Sequence, residues 1–76
     1  MTCIIVEIKP ENRSKPVQVR AHIRGHSLTR DFAWNKSPRE NAFTTVMAFR
    51  DQFLPGKELG LCKELGRSKY KFPILS

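Results

Sequence analysis

The sequence predicts an α+β fold: a three-stranded antiparallel sheet, one amphipathic helix packed across one of its faces, and a C-terminal extension. Three observations predict it. Val17, Val19, Ala21 and Ile23 alternate with Gln18, Arg20, His22 and Arg24, and a strand points successive side chains to opposite faces. A helix-capping signal at Ser37 is followed by apolar residues at helical spacing. The chain has 76 residues, which is one domain's worth, so helix and strands must cover each other.

Cys3 to Ile8 is apolar and β-branched, the composition of a first strand. Pro10 to Pro16 is polar, with two prolines and Asn12, and reads as a turn or loop. The alternating run Val17 to Arg24 is the second strand, with one apolar face and one polar, mostly basic face. Gly25 supplies the positive φ of a tight turn. A third extended run, Ser27 to Trp34, completes a hairpin. Strict alternation sets Leu28, Arg30, Phe32 and Trp34 on one side, and an Arg between Leu and Phe is uncomfortable in a core. A bulge would turn Arg30 or Thr29 outward.

Ser37 suits an N-cap, Pro38 the first helical position, and Glu40 the capping box. Ala42, Val46, Phe49 and Phe53 then fall on one stripe, with Phe43, Met47 and Leu54 alongside. Pro55 and Gly56 end the helix. Residues 1–56 therefore form the sheet-plus-helix domain, and residues 57–76 a basic extension. Within it, Lys57 to Leu65 is compatible with a short helix weakened by Gly60 and stopped by Gly66. Arg67, Lys69 and Lys71 alternate with Ser68, Tyr70 and Phe72, an extended pattern. This mixed tail fits a segment following a phosphate backbone as well as a solvated end.

Fourteen Lys and Arg face seven Asp and Glu, a formal net charge of +7. Such a field attracts polyanions. Two cysteines are too few for a disulfide scaffold. The first residues lack the basic start and apolar run of a signal peptide, and no stretch approaches the ~20 apolar residues of a membrane span. The expectation is a cytoplasmic protein that does not engage membranes.

The stretch Val17 to Leu54 resembles the Apetala-two / ethylene-response-factor-like DNA-binding domain, in its short bacterial or phage form. The residues that carry this are Val17, Val19, Arg20, Gly25 and Phe32 at the family's spacing. In the helix they are Ala42-Phe43 and Met47-Ala48-Phe49-Arg50-Asp51. Val17 stands where the family usually has Trp, and Leu28 where it has an aromatic residue. The arm-site-binding domains of some phage integrases look similar in the same layout. The resemblance implies binding of duplex DNA through the sheet, in a small phage or bacterial protein of transcription regulation.

The candidate DNA-binding residues are Arg13, Gln18, Arg20, His22, Arg24, His26 and Arg30. Arg bonds both acceptors on a guanine edge and Gln both groups on adenine, so Gln18, Arg20 and Arg24 are the expected base readers. Arg13, His22, His26 and Arg30 are expected at phosphates or sugars. Rival readings are RNA binding and docking on an acidic protein, as an accessory protein or inhibitor does. A second copy would add affinity, either as a homodimer or within a larger complex.

No cofactor is expected, nor an enzyme: no carboxylate pair, phosphate-cradling Gly loop or nucleophile motif occurs. His22 and His26 are spaced His-x-x-x-His, but Cys3 and Cys62 are far apart, whereas zinc fingers bring cysteines in close pairs. Chelator treatment should therefore leave the thermal melting curve unchanged; a collapse of the transition would reveal a structural metal.

Overall fold

The computed structural model describes residues 2–9, 16–33, 37–66 and 68–75. Its elements run β1 (Cys3–Lys9), β2 (Val17–Ile23), β3 (His26–Phe32), α1 (Pro38–Phe53), β4 (Lys63–Gly66) and β5 (Lys69–Pro73). All five strands belong to one antiparallel sheet in the order β3-β2-β1-β5-β4.

This corrects the expected three-stranded sheet with a C-terminal extension. The tail forms two further strands, and β5 pairs with β1 from Cys3↔Pro73 to Glu7↔Lys69. The physical reason lies in β1. With β2 alone on one side, its other edge would leave a row of backbone donors and acceptors unpaired beside an apolar strand. The alternation of Tyr70 and Phe72 with Lys69 and Lys71 supplies a matching strand, so both aromatic rings are buried. Lys57 to Leu65 is not helical either. Leu59 bridges Ile74, and the Gly60 N–H donates to the Pro73 carbonyl at 2.7 Å, so this segment runs extended along the tail toward β4.

The core lies between the sheet and α1. Ile4, Val6 and Ile8 of β1, Val17, Val19 and Ala21 of β2, and Tyr70 and Phe72 of β5 supply the sheet side. Ala42, Val46 and Phe49 supply the helix side, with Phe53 partly buried beside them. Asn41 and Thr45 are buried too; the Thr45 hydroxyl donates to the Asn41 carbonyl at 2.9 Å, while Asn41 Oδ1 has no hydrogen-bond partner among the described residues. Phe43, one position off the stripe, is 55 % exposed.

Local signals set the helix ends. The Glu40 N–H donates to Ser37 Oγ at 3.1 Å, and Pro38 opens the first turn. The Leu54 N–H closes on the Arg50 carbonyl at 2.7 Å before Pro55. The β2–β3 connection is the two residues Arg24 and Gly25, with Gly25 at φ 85°, a value that favours glycine.

Phe72 separates a tail that is a strand from one that is a loose end. Phe72→Ala should cost about 3–5 kcal/mol, the usual range for emptying a core site. Urea denaturation measures it; a change within about 0.5 kcal/mol, normal for surface substitutions, would mean the tail is not in the sheet.

Candidate nucleic-acid interface

With the helix on one side, the other side of the sheet faces solvent among the described residues. Directly opposed residues of an antiparallel pair share a face, so the register decides which side chains stand there. Lys9 opposes Gln18, Glu7 opposes Arg20, and Ile5 opposes His22. Arg20 opposes Thr29, and Gln18 opposes Asp31. Glu7 and Ile5 oppose Lys69 and Lys71 on the other flank, and Lys71 opposes Lys63.

This open face therefore carries Lys9, Arg20, Lys63, Lys69 and Lys71 against Glu7 and Asp31, five cations to two acids. Elsewhere among the described residues the ratio is nearly balanced: Arg24, Arg30, Arg39, Arg50 and Lys57 against Glu40, Asp51, Glu58 and Glu64. Part of that balance is local pairing. Arg50 meets Asp51 at 3.0 Å, and Arg39 meets Glu64 at 3.6 Å. On the open face the one central acid is Glu7. Its carboxylate lies 3.2 Å from His22 Nε2 and 3.9 Å from Lys69 Nζ. A depression of about 570 Å³ opens there, lined by Glu7, Lys9, Gln18, Arg20, Thr29 and Lys69 among others.

The sequence-derived candidates divide. Gln18, Arg20 and His22 stand together on the open face. Arg24 sits at the hairpin tip, at the sheet's end. Arg30 opposes Val19 and so projects on the helix side, where the edge position leaves it exposed. The β2–β3 register is continuous through this stretch, without a bulge, and it is Thr29 that shares the open face with Arg20. His26 also lies on the helix side, its ring stacked on Phe53 with centroids 4.8 Å apart. Arg13, and with it Trp34 and Arg67, lies outside the described residues.

No family model, curated protein or solved structure matches this chain. The resemblance over Val17 to Leu54 thus rests on the residues that carry it.

Lys9, Lys63, Lys69 and Lys71 were missing from the sequence-derived set. For three of them the alternation was present in the sequence: Glu7 and Lys9 alternate with Val6 and Ile8, and Lys69 and Lys71 with Tyr70 and Phe72, whereas Lys63 lies in a run without alternation. What single strands do not state is which other strand they lie beside. Among the described residues no cluster of His, Cys, Asp and Glu could hold a metal ion. Burial pushes the Cys62 thiol up, and Arg39 opposes this less strongly. That favours the protonated thiol, the reverse of what a nucleophilic cysteine needs. No helix among the described residues is long and apolar enough to cross a membrane.

Proposed function

We propose that this chain is a DNA-binding module, acting in the cytoplasm, that lays the open face of its five-stranded sheet on duplex DNA. One observation carries the reading: the cation excess of the described residues gathers on that face, five against two, while the rest of the described surface is close to balanced.

Geometry refines how it would bind. Four strand spacings make the sheet about 19 Å across, wider than the ~12 Å major groove. The whole face cannot enter a groove, so the lysines of β5 and β4, at one flank, meet phosphates and only a strand pair reaches inward. On the pair β2 and β3, Gln18 and Arg20 of β2 would do so. Contact with phosphates dominates affinity in such an arrangement and carries little sequence information. Single strands are the poorer ligand. They bind chiefly by stacking on aromatic rings, and the described part of this face presents no Phe, Tyr or Trp. The resemblance favours DNA over RNA. Docking on an acidic protein would use the same cations and is the alternative if duplexes are not bound.

A salt series of fluorescence anisotropy titrations tests the reading. Each phosphate contact should add about −0.9 to the slope of log affinity against log salt, so five engaged cations give a slope near −4 to −5. Arg20→Ala should reduce that slope by about one, evenly across sequences if it meets phosphate. A slope near zero for the parent, with duplex DNA and duplex RNA alike, sinks the proposal.

Glu7 provides the opposite test. A carboxylate about 6 Å from a phosphate in water-like surroundings costs ~0.7 kcal/mol. Glu7→Gln should therefore tighten duplex binding roughly threefold while changing stability little, because exposed ion pairs contribute about 0–1 kcal/mol. Unchanged affinity would move the binding surface off this face.

A further inference from the structure

The sheet has two edges, and they differ. β4 has four residues and a register shift between Glu64 and Gly66. Short, irregular edges resist pairing with another chain. β3 has seven residues, no bulge and neither Lys nor Pro. Its Leu28 and Phe32 are only partly buried. A long regular edge of this kind is a template for a further strand.

The register identifies the strand it fits. Two copies related by a two-fold axis pair antiparallel with one residue opposed to itself. The hairpin turn joins the Ile23 carbonyl to the His26 N–H. By alternation along the ladder, Ser27, Thr29 and Asp31 then direct their N–H and C=O groups away from β2. Thr29 is the middle residue of β3. Centring the axis on it overlaps the whole strand, His26 to Phe32. Thr29 then opposes Thr29, and Ser27 opposes Asp31 twice. These three pairs each exchange two backbone bonds, about six in all.

The side chains agree with that register. On the open side, Thr faces Thr and the Ser hydroxyl faces a carboxylate, both favourable cross-strand pairs. On the helix side, Leu28 lies against the stem of Arg30 and His26 against Phe32. Centring on Arg30 instead opposes two guanidinium groups, which is destabilising. Centring on Leu28 sets His26 against Arg30 and runs the pairing into the turn at Gly25. The helices do not obstruct. α1 touches β1, β2 and β3, so its axis lies near β2, and two such helices stand about three strand spacings, ~14 Å, apart. That exceeds the 8–10 Å of packed helices.

We propose that the chain forms a two-fold homodimer through antiparallel β3–β3 pairing centred on Thr29. The two sheets become one ten-stranded sheet with both helices on the same side. The pairing does not depend on nucleic acid. Where the DNA-binding reading also holds, the two open faces join into one continuous surface with its cations duplicated.

The test is made on the full chain without nucleic acid. Sedimentation equilibrium across a concentration series should give twice the 8.8 kDa chain mass. Thr29→Pro removes an outward N–H, and edge strands tolerate proline there, so this variant should keep its circular dichroism and sediment as a monomer. Thr29→Cys provides the second reading, whether or not the proline variant folds. Self-opposed bonded residues have Cα atoms about 5.5 Å apart, within disulfide reach. Under mild oxidation this cysteine should link to its own copy, identified by mass spectrometry, while Ser27→Cys should not. A parent that stays monomeric at every concentration overturns the proposal. So does a dimer that survives in folded Thr29→Pro, or equal self-linking at positions 27 and 29. Loss of DNA binding alone leaves it standing.

Discussion

The structure depends on β1 being paired on both sides. β2 lies along one edge and β5 along the other, so the seven residues of β1 and the last described strand share the middle of one sheet. That arrangement leaves the two faces chemically distinct. Ile4, Val6 and Ile8 look toward α1, while Ile5, Glu7 and Lys9 look away. One strand thus sits beneath the helix and also forms the floor of the open face. Ile5 stays half-buried there between His22 and Lys71, whose aliphatic stem can cover it while its charge reaches water.

Charge follows from the same pairing. Taken by itself β2 carries no acid, and its outer side chains read as a polar, mostly basic row. The neighbour places Glu7 directly opposite Arg20 and within reach of His22. β3 places Asp31 opposite Gln18. The face is therefore most positive on its β5–β4 side, through Lys63, Lys69 and Lys71, and tempered toward β2 and β3 by Glu7 and Asp31.

Much of the fold was legible in particular residues. Alternation in Val17 to Ile23, the turn at Gly25 and the Ser37–Pro38–Glu40 cap each follow from local geometry, and each appears in the structure. The sheet's width was not legible. Pairing β1 with β5 brings together residues more than sixty positions apart, and nothing local in Tyr70 or Phe72 names Ile4 and Val6 as neighbours. A hint lay in β1 itself. Ile4, Ile5 and Val6 are apolar on both sides of the strand, which belongs to a central strand more than to an edge. For the site, Gln18, Arg20 and His22 were readable from one strand's alternation. Their companions came from partner strands, and Arg30 and His26 fell on the helix side because the hairpin register carries no bulge.

The place of β5 also bears on how the chain reaches its fold. A ribosome makes β1 first and β5 some sixty residues later. At about 5–20 residues per second, β1 waits several seconds for the strand that completes its pairing. During that interval Ile4, Ile5, Val6 and Ile8 form an apolar, β-prone segment with an open edge. Such segments are where newborn chains stick to one another. Long-range strand pairing also slows folding once synthesis is done. Production at low temperature or with chaperones in excess would therefore act on this early strand rather than on the finished sheet.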